Sequence, residues 1–146
     1  MRPNNDYCHR NILRTLPFRR HRLSKEDSIE FIFGAAVLLL YVSNRWFGAW
    51  DSILPEWFLK NHFGDVCGGM LFPVYANLLL SAVGTKFRVD GFLSTVAIGV
   101  LCSVAWEIVA PMLLAFSTPD PLDAVAYIFG AVVHFAFRKL VLATLL

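Results

Sequence analysis

The sequence predicts an all-α polytopic membrane protein, a bundle of four transmembrane helices with a short interfacial helix in the first external loop. Of the 146 residues, 57% are hydrophobic and 16% are charged, whereas a soluble domain carries about 25% charged residues. Four apolar stretches approach the roughly 20 residues that a helix needs to cross a bilayer. We therefore predict a basic cytoplasmic tail, residues 1–28, and one transmembrane domain, residues 29–146.

Each predicted span is defined by its apolar run. The four runs cover residues 29–47, 66–84, 92–111 (extending at most to 116) and 122–137. The fourth run is the shortest, and residues 140–146 beyond it are apolar again. No small-x-small cleavage site follows the first run, so we interpret it as an uncleaved span and not as a signal peptide.

Basic residues set the predicted orientation, because Lys and Arg in short flanking segments stay on the cytoplasmic side. Seven of the thirteen Lys and Arg residues precede or open the first span, and two more follow the second span and two the fourth. We therefore expect both termini in the cytoplasm. The tail is interpreted as touching anionic lipid and not nucleic acid, because it lacks interleaved aromatic residues beyond Phe18.

The first external loop is predicted to contain the interfacial helix. Pro55 would open this helix, which would extend to His62, and Gly64 would close it. Three of the four tryptophans lie within residues 46–57. Such a concentration is typical of the aromatic belt at a membrane surface.

Acidic side chains from the last three spans are predicted to meet near the outer membrane surface. Asp65 opens the second span close to His62, and Asp120 and Asp123 open the fourth. Glu107 lies well inside the third span, about 22 Å from its inner end at 1.5 Å per residue. Ionisable groups inside a span usually face a partner or a cavity. Without a basic residue beside them, these carboxylates would bind a cation or a cationic ligand group.

The fourth span carries a polar stripe. Asp123, Tyr127, Gly130, His134 and Arg138 recur at helical spacing and share one face, while the other faces are apolar. A histidine in lipid needs a hydrogen-bond partner, which hydrocarbon does not supply. We expect Tyr127 and His134 to face the second and third spans, with Gly130 allowing one of them to approach closely.

Structural roles stay open for most of these residues. Asp120 and Asp123 occupy the positions of an N-cap and of N3, and Asp65 could be the N-cap of the second span. His134 could be an interhelical hydrogen-bond partner, and packing alone could explain the tyrosine. Glu107 lies in mid-helix, where it has no cap to provide, so it is our first choice for a functional residue.

Common catalytic and nucleotide-binding motifs are absent from the sequence. It contains no HExxH, P-loop, GxSxG or CxxC pattern. No serine or cysteine has a base placed beside it by sequence. These absences argue against a nucleophilic enzyme and leave a metal-dependent hydrolase open.

The second half of the chain resembles the VanZ-like family of small bacterial membrane proteins over a segment of about 25 residues. That family has a glutamate in one helix, an Arg-containing turn, two aspartates three residues apart, and a helix continuing Asn-x-x-Gly. Glu107, Asp120, Asp123 and Gly130 match this pattern in order and spacing, within the segments Trp106-Glu107-Ile108 and Asp120-Pro121-Leu122-Asp123. A looser match is Asn61-His62-Phe63-Gly64-Asp65.

This chain departs from the family pattern at three positions. The family's glutamine, arginine and asparagine are replaced by Ala110, Ser117 and Tyr127. The resemblance implies a divergent member in a bacterial cytoplasmic membrane. The family takes its name from a role in teicoplanin resistance, and its molecular mechanism is generally unassigned.

Taken together, these patterns predict a cell-envelope protein that binds an envelope ligand, either a lipid-linked precursor or a cationic antibiotic. The candidate ligand-binding residues are Glu107, Asp123, Asp120, Asp65, His62, Tyr127 and His134. No cofactor is assigned, although a divalent cation would be needed to join the carboxylates to a pyrophosphate lipid.

Three other functions stay open. The first is a small transporter in which Glu107 and His134 relay protons. The second is a metal-dependent membrane hydrolase, and the third is a structural subunit of a membrane complex. A homo-oligomer is compatible with each of them.

Overall fold

A computed structural model describes residues 24–48, 50–113 and 120–145, and within them the chain is helical without a strand. The all-α prediction is therefore confirmed for the described residues. The helices are α1 (Lys25–Phe47), α2 (Glu56–Asn61), α3 (Phe63–Ala82), α4 (Phe92–Val104), a π-helical turn (Ala105–Val109) that continues α4, α5 (Ala110–Leu113) and α6 (Pro121–Leu145).

Three helices in the described part of the chain are long and apolar enough to cross a membrane. They are Phe63–Ala82, Phe92–Leu113 and Pro121–Thr144. This finding supports the assignment to membrane proteins. The first predicted span corresponds to α1, which is 23 residues long but is not one of the three.

Helix α1 begins at Lys25, before the predicted start at residue 29. Ser24 and Asp27 form a capping box, in which the Asp27 amide donates to Ser24 Oγ at 3.1 Å. The Ser24 amide donates in return to Asp27 Oδ2 at 2.9 Å. This box gives hydrogen-bond acceptors to two backbone amides that would otherwise be unpaired at the helix start, so residues 25–28 of the predicted tail are helical. Residues 1–23 of that tail lie outside the described residues.

The short helix predicted from Pro55 to His62 exists as α2, with these two residues as its caps, but the closing role predicted for Gly64 is wrong. The His62 amide donates to the Phe58 carbonyl at 2.9 Å and closes α2. Helix α3 then begins at Phe63, which places Gly64 in its first turn. The interfacial location of α2 stays a prediction.

Helix α6 is longer than the fourth predicted span, whose end at residue 137 is wrong. The helix continues to Leu145. Arg138 and Lys139 do not end it, because Arg138 is only 6% exposed and pairs with carboxylates inside the bundle. The Lys139 ammonium lies 5.6 Å from the ring centre of Phe135.

Helix α6 is the centre of the bundle and packs on α3 and α4, while α1 packs on α3. The contact with α3 is close enough to require glycine. A Cβ atom added at Gly130 would overlap the Val66 carbonyl, and one added at Gly69 would overlap the Tyr127 carbonyl. The predicted close approach at Gly130 is therefore confirmed. Small residues allow such backbone contact, which replaces the hydrophobic driving force that lipid does not provide.

Candidate functional site

Polar side chains collect at the two opposite ends of the bundle. We call the end that holds Asp65, Asp120 and Asp123 the carboxylate end. The end that holds Arg88 and Arg138 is called the arginine end. Six of the seven candidate residues lie at the carboxylate end, and His134 does not.

Asp120 is the N-cap of α6, which was one of the two roles predicted for it; the other was ligand binding. Its Oδ1 accepts a hydrogen bond from the Leu122 amide at 2.9 Å. The argument that Glu107 caps nothing is wrong, because Glu107 Oε2 accepts from the Asp120 amide at 2.6 Å. Glu107 thus ties the π-helical turn to the start of α6. It stands in this turn, a local irregularity that frequently occurs at functional sites.

His62 and Asp123 form a close side-chain contact at the carboxylate end. His62 Nδ1 lies 2.6 Å from Asp123 Oδ1, and the side chains are 8% and 22% exposed. Asp120 completes a group of three with these two residues. One potential ligand atom from each residue lies within 4.8 Å of the others. This is a candidate His/Asp/Asp metal-binding group, made from the start of α6 and the residue between α2 and α3.

Asp65 and Tyr127 stand beside this group. The Asp65 carboxylate interacts with the Tyr127 hydroxyl and with the carboxylates of Asp123 and Glu107. Asp65 is the third residue of α3, and the N-cap position belongs to His62. The N-cap role for Asp65 is therefore wrong. Tyr127 packs against α3 at Gly68 and Gly69, where the absence of a side chain leaves room for it.

Two concavities border the carboxylate end. The polar pocket, of about 640 Å³, is lined by residues of α1, α2 and α3 that include Asp65 together with Arg45 and Lys60. Arg45 and Lys60 thus share this pocket with Asp65, but neither forms an ion pair with Asp65 among the described residues. The apolar groove, of about 210 Å³, lies between α2 and α6 and is lined by Trp57, Phe58, His62, Val66, Leu122, Val125, Ala126 and Phe129. His62 therefore belongs both to the lining of the groove and to the metal-binding group.

The arginine end contains a buried network that the sequence interpretation missed. Glu30 of α1 contacts His134 at 2.9 Å and Arg138 at 3.1 Å. Asn77 of α3 donates to Glu30 at 2.7 Å and also pairs with the backbone of Val89. In the same region, Arg88 binds Asp27 at 3.0 Å and approaches Glu26 at 3.1 Å.

His134 therefore does not belong with the carboxylate cluster, and the expectation that it faces the second and third spans for its hydrogen bond is wrong. Its polar partner is on α1, and its ring also meets Phe33 of that helix at 5.5 Å. Eleven residues separate it from Asp123 along α6, about 16 Å at 1.5 Å per residue. Tyr127, in contrast, faces α3 as predicted.

Two signals in the sequence could have revealed the network. Glu30 lies at the start of an apolar run, and Asn77 lies in the middle of another. Such groups need polar partners inside a bundle. The sequence pattern did not show which helices would pair them, because Glu30 and His134 are 104 positions apart in the chain.

Comparison of the chain with profiles of known protein families, with curated proteins and with solved structures gave no match. The resemblance to the VanZ-like family stays a prediction that depends on the residues given above.

Proposed function

We propose that this chain is an integral membrane protein of the bacterial cell envelope. In this proposal it binds a lipid-linked envelope ligand at the carboxylate end. A divalent cation held by His62, Asp120 and Asp123 would bridge these side chains to the ligand's phosphate. The observation that carries the proposal is the convergence of these three residues, with ligand atoms within 4.8 Å of one another.

The chemistry of the donor set supports a cation. Imidazole suits zinc and other transition metals, while carboxylates also suit manganese and magnesium. A mixed set of one imidazole and two carboxylates therefore favours Zn²⁺ or Mn²⁺. Asp65 and Glu107 add negative charge close by, which further favours a cation.

The surroundings of the site support an amphipathic ligand. The apolar groove adjoins His62 and fits a hydrocarbon chain, and the polar pocket adjoins Asp65 and fits a headgroup. Arg45 and Lys60 line that pocket and are suited to contact phosphate. Asp51 and Asp65 line the same pocket, so its formal charges balance, and a cationic antibiotic is the second candidate ligand.

Titration of the purified protein with Mn²⁺, followed by electron paramagnetic resonance, tests the cation. We expect one Mn²⁺ per chain. Asp123→Asn and His62→Gln each remove a proposed ligand and should weaken binding by more than the roughly 10- to 100-fold that loss of an outer-shell partner costs. Glu56→Gln is the matched control, because Glu56 is exposed and pairs only with Lys60 among the described residues. Equal affinity in all variants, or no binding of either Mn²⁺ or Zn²⁺, would contradict the proposal.

A second measurement identifies the ligand class. A short-chain polyprenyl pyrophosphate should bind the metal-loaded protein and be released by a chelator, because the cation joins two sets of negative charge. A cationic antibiotic would instead bind the carboxylates directly and keep its affinity in chelator. Metal-independent binding of the pyrophosphate would contradict the proposal that a cation bridges it to the carboxylates.

A further inference from the structure

The polar pocket beside the carboxylate end is larger than a pyrophosphate group. Its volume is about 640 Å³. At about 30 Å³ for each group of the size of a water molecule, this space takes roughly 20 non-hydrogen atoms, whereas a pyrophosphate has only about nine. The remaining space is enough for about one sugar ring.

The polar side chains that line this pocket supply donors and acceptors without a net charge. Its two basic and two acidic side chains balance one another, and Asn44 and Asn61 add two neutral amides. A sugar hydroxyl is both a donor and an acceptor, so several hydroxyls suit a mixed lining of this kind. A headgroup recognised by its charge alone would call for an excess of the opposite charge.

Two aromatic side chains of α1, Tyr41 and Trp46, also line the pocket. Trp46 is 77% exposed, and the Tyr41 ring lies against Gly64 of α3. An aromatic ring of this type offers an apolar face and a polar group at its edge. A pyranose ring has the matching character, with C–H groups on its faces and hydroxyls at its edge. The lining therefore suits a saccharide.

The end of α1 brings these groups to one pocket. Gly48 adopts the left-handed conformation, with φ at 56°, and its amide donates to the Asn44 carbonyl at 3.2 Å. This turn ends α1 and lets Asp51 line the same pocket as Arg45. The Asn44 side-chain amide donates to the Leu59 carbonyl of α2 at 3.2 Å. Its side-chain oxygen has no partner among the described residues and can accept from a ligand hydroxyl.

The polar pocket connects to the proposed cation site through Asp65. The carboxylate of Asp65 interacts with that of Asp123. Asp123 in turn contacts His62, which also lines the apolar groove. A lipid with its chain in the groove and its pyrophosphate at the cation would therefore direct the group beyond the pyrophosphate into the polar pocket.

We propose that the polar pocket binds a saccharide carried on the pyrophosphate, so that the ligand is a glycosylated polyprenyl pyrophosphate and not the free carrier lipid. This inference rests on the proposed function, to which it adds the chemical class of the headgroup.

Isothermal titration calorimetry of the full-length, Mn²⁺-loaded protein with two probes tests the saccharide. Both probes are geranyl pyrophosphates esterified on the terminal phosphate, one with a glucosyl group and the other with a methyl group, so that their charges match. The detergent must have no sugar headgroup, because such a headgroup would compete for the pocket. We expect the glucosyl probe to bind roughly 10-fold more tightly or better, a factor that a few net hydrogen bonds explain.

Trp46→Ala and Asn61→Ala should each reduce this ratio of dissociation constants to less than about threefold. Both side chains are exposed, so the fold should tolerate their loss. The affinities for Mn²⁺ and for the methyl probe should stay within about twofold of the wild type, because neither residue belongs to the cation group. Phe87→Ala, which removes an exposed aromatic ring in the loop before Arg88, is the matched control and should keep the full ratio.

Equal affinity of the wild type for the two probes, or an undiminished ratio in both pocket variants, would overturn the saccharide assignment and leave the cation and lipid proposals standing. Failure of both probes to bind the metal-loaded protein would instead contradict the proposed function, and this inference with it.

Discussion

Three carboxylates at the carboxylate end each have one oxygen with a hydrogen-bond partner among the described residues. Asp120 uses Oδ1 to cap α6, and Glu107 uses Oε2 to hold the Asp120 amide. Asp123 uses Oδ1 for His62. Each carboxylate has a second oxygen, so the same side chain can serve the fold and coordinate a cation. A structural role therefore does not exclude a ligand role at Asp120 or Glu107.

Asp27 permits a prediction on pH dependence at the arginine end. Burial would raise the pKa of its carboxyl, but hydrogen bonds from Ser24, Ser81 and Arg88 outweigh burial and lower the pKa from 3.8 to about 2. A lowered pKa means that its stabilisation is complete above pH 3.8 and is lost as the pH falls toward 2.

Asp27→Asn should therefore reduce the free energy of unfolding by about 2 kcal/mol at neutral pH, since it removes charged hydrogen bonds. Chemical unfolding of the purified protein at several pH values measures this difference. The gap between the variant and the wild type should close in strong acid. A gap that stays constant at all pH values would show that charge on Asp27 is not its source.

At the scale of the helices, the features that depend on a local sequence pattern were predicted correctly. The apolar runs located three helices long enough to cross a membrane, and the periodicity of α6 identified its buried face. The end of α6 was not predictable from charge, because Arg138 is neutralised by Glu26 and Glu30 from a distant helix. The π-helical turn was also missed, since nothing in its five residues distinguishes it from α-helix.

The same distinction applies to the candidate site. Six of its seven residues lie at the carboxylate end, because the predicted orientation brings the starts of the second and fourth spans and the outer half of the third span to one membrane surface. His134 was misplaced because its face of α6 was known but its partner was not. Residues on one helical face can serve opposite ends of a bundle when they are eleven positions apart.

The contact between α3 and α6 predicts unequal effects of two neighbouring substitutions. Gly130→Leu would force a side chain into the backbone of α3, whereas Phe129 is 57% exposed. We expect Gly130→Leu to destabilise the bundle by roughly 1–3 kcal/mol or more, and Phe129→Leu to have a much smaller effect. Thermal unfolding and expression level in membranes compare the two variants. Equal tolerance would mean that α6 packs on α3 with a different rotation.

At the scale of the whole molecule, α1 decides how many helices cross the membrane. Its inner face packs on α3 through Gly34 and Val37, while its other face exposes Phe31, Ile32 and Leu39. Large exposed apolar side chains on a bundle are typical of contact with lipid. This arrangement supports our proposal that α1 is a fourth span.

The number of spans can be determined from the positions of the two termini. With four spans the termini lie on the same side of the membrane, and with three they lie on opposite sides. The basic residues of the tail and those after residue 137 favour the cytoplasm for both. We predict that reporters fused before Met1 and after Leu146 both report cytoplasm. A reporter inserted near Thr118 should report the exterior, and one inserted near Lys86 should report cytoplasm as an internal control. A cytoplasmic N-terminal reporter combined with an exported C-terminal one would show that α1 does not cross, and the polar pocket would then have to be described without a fourth span.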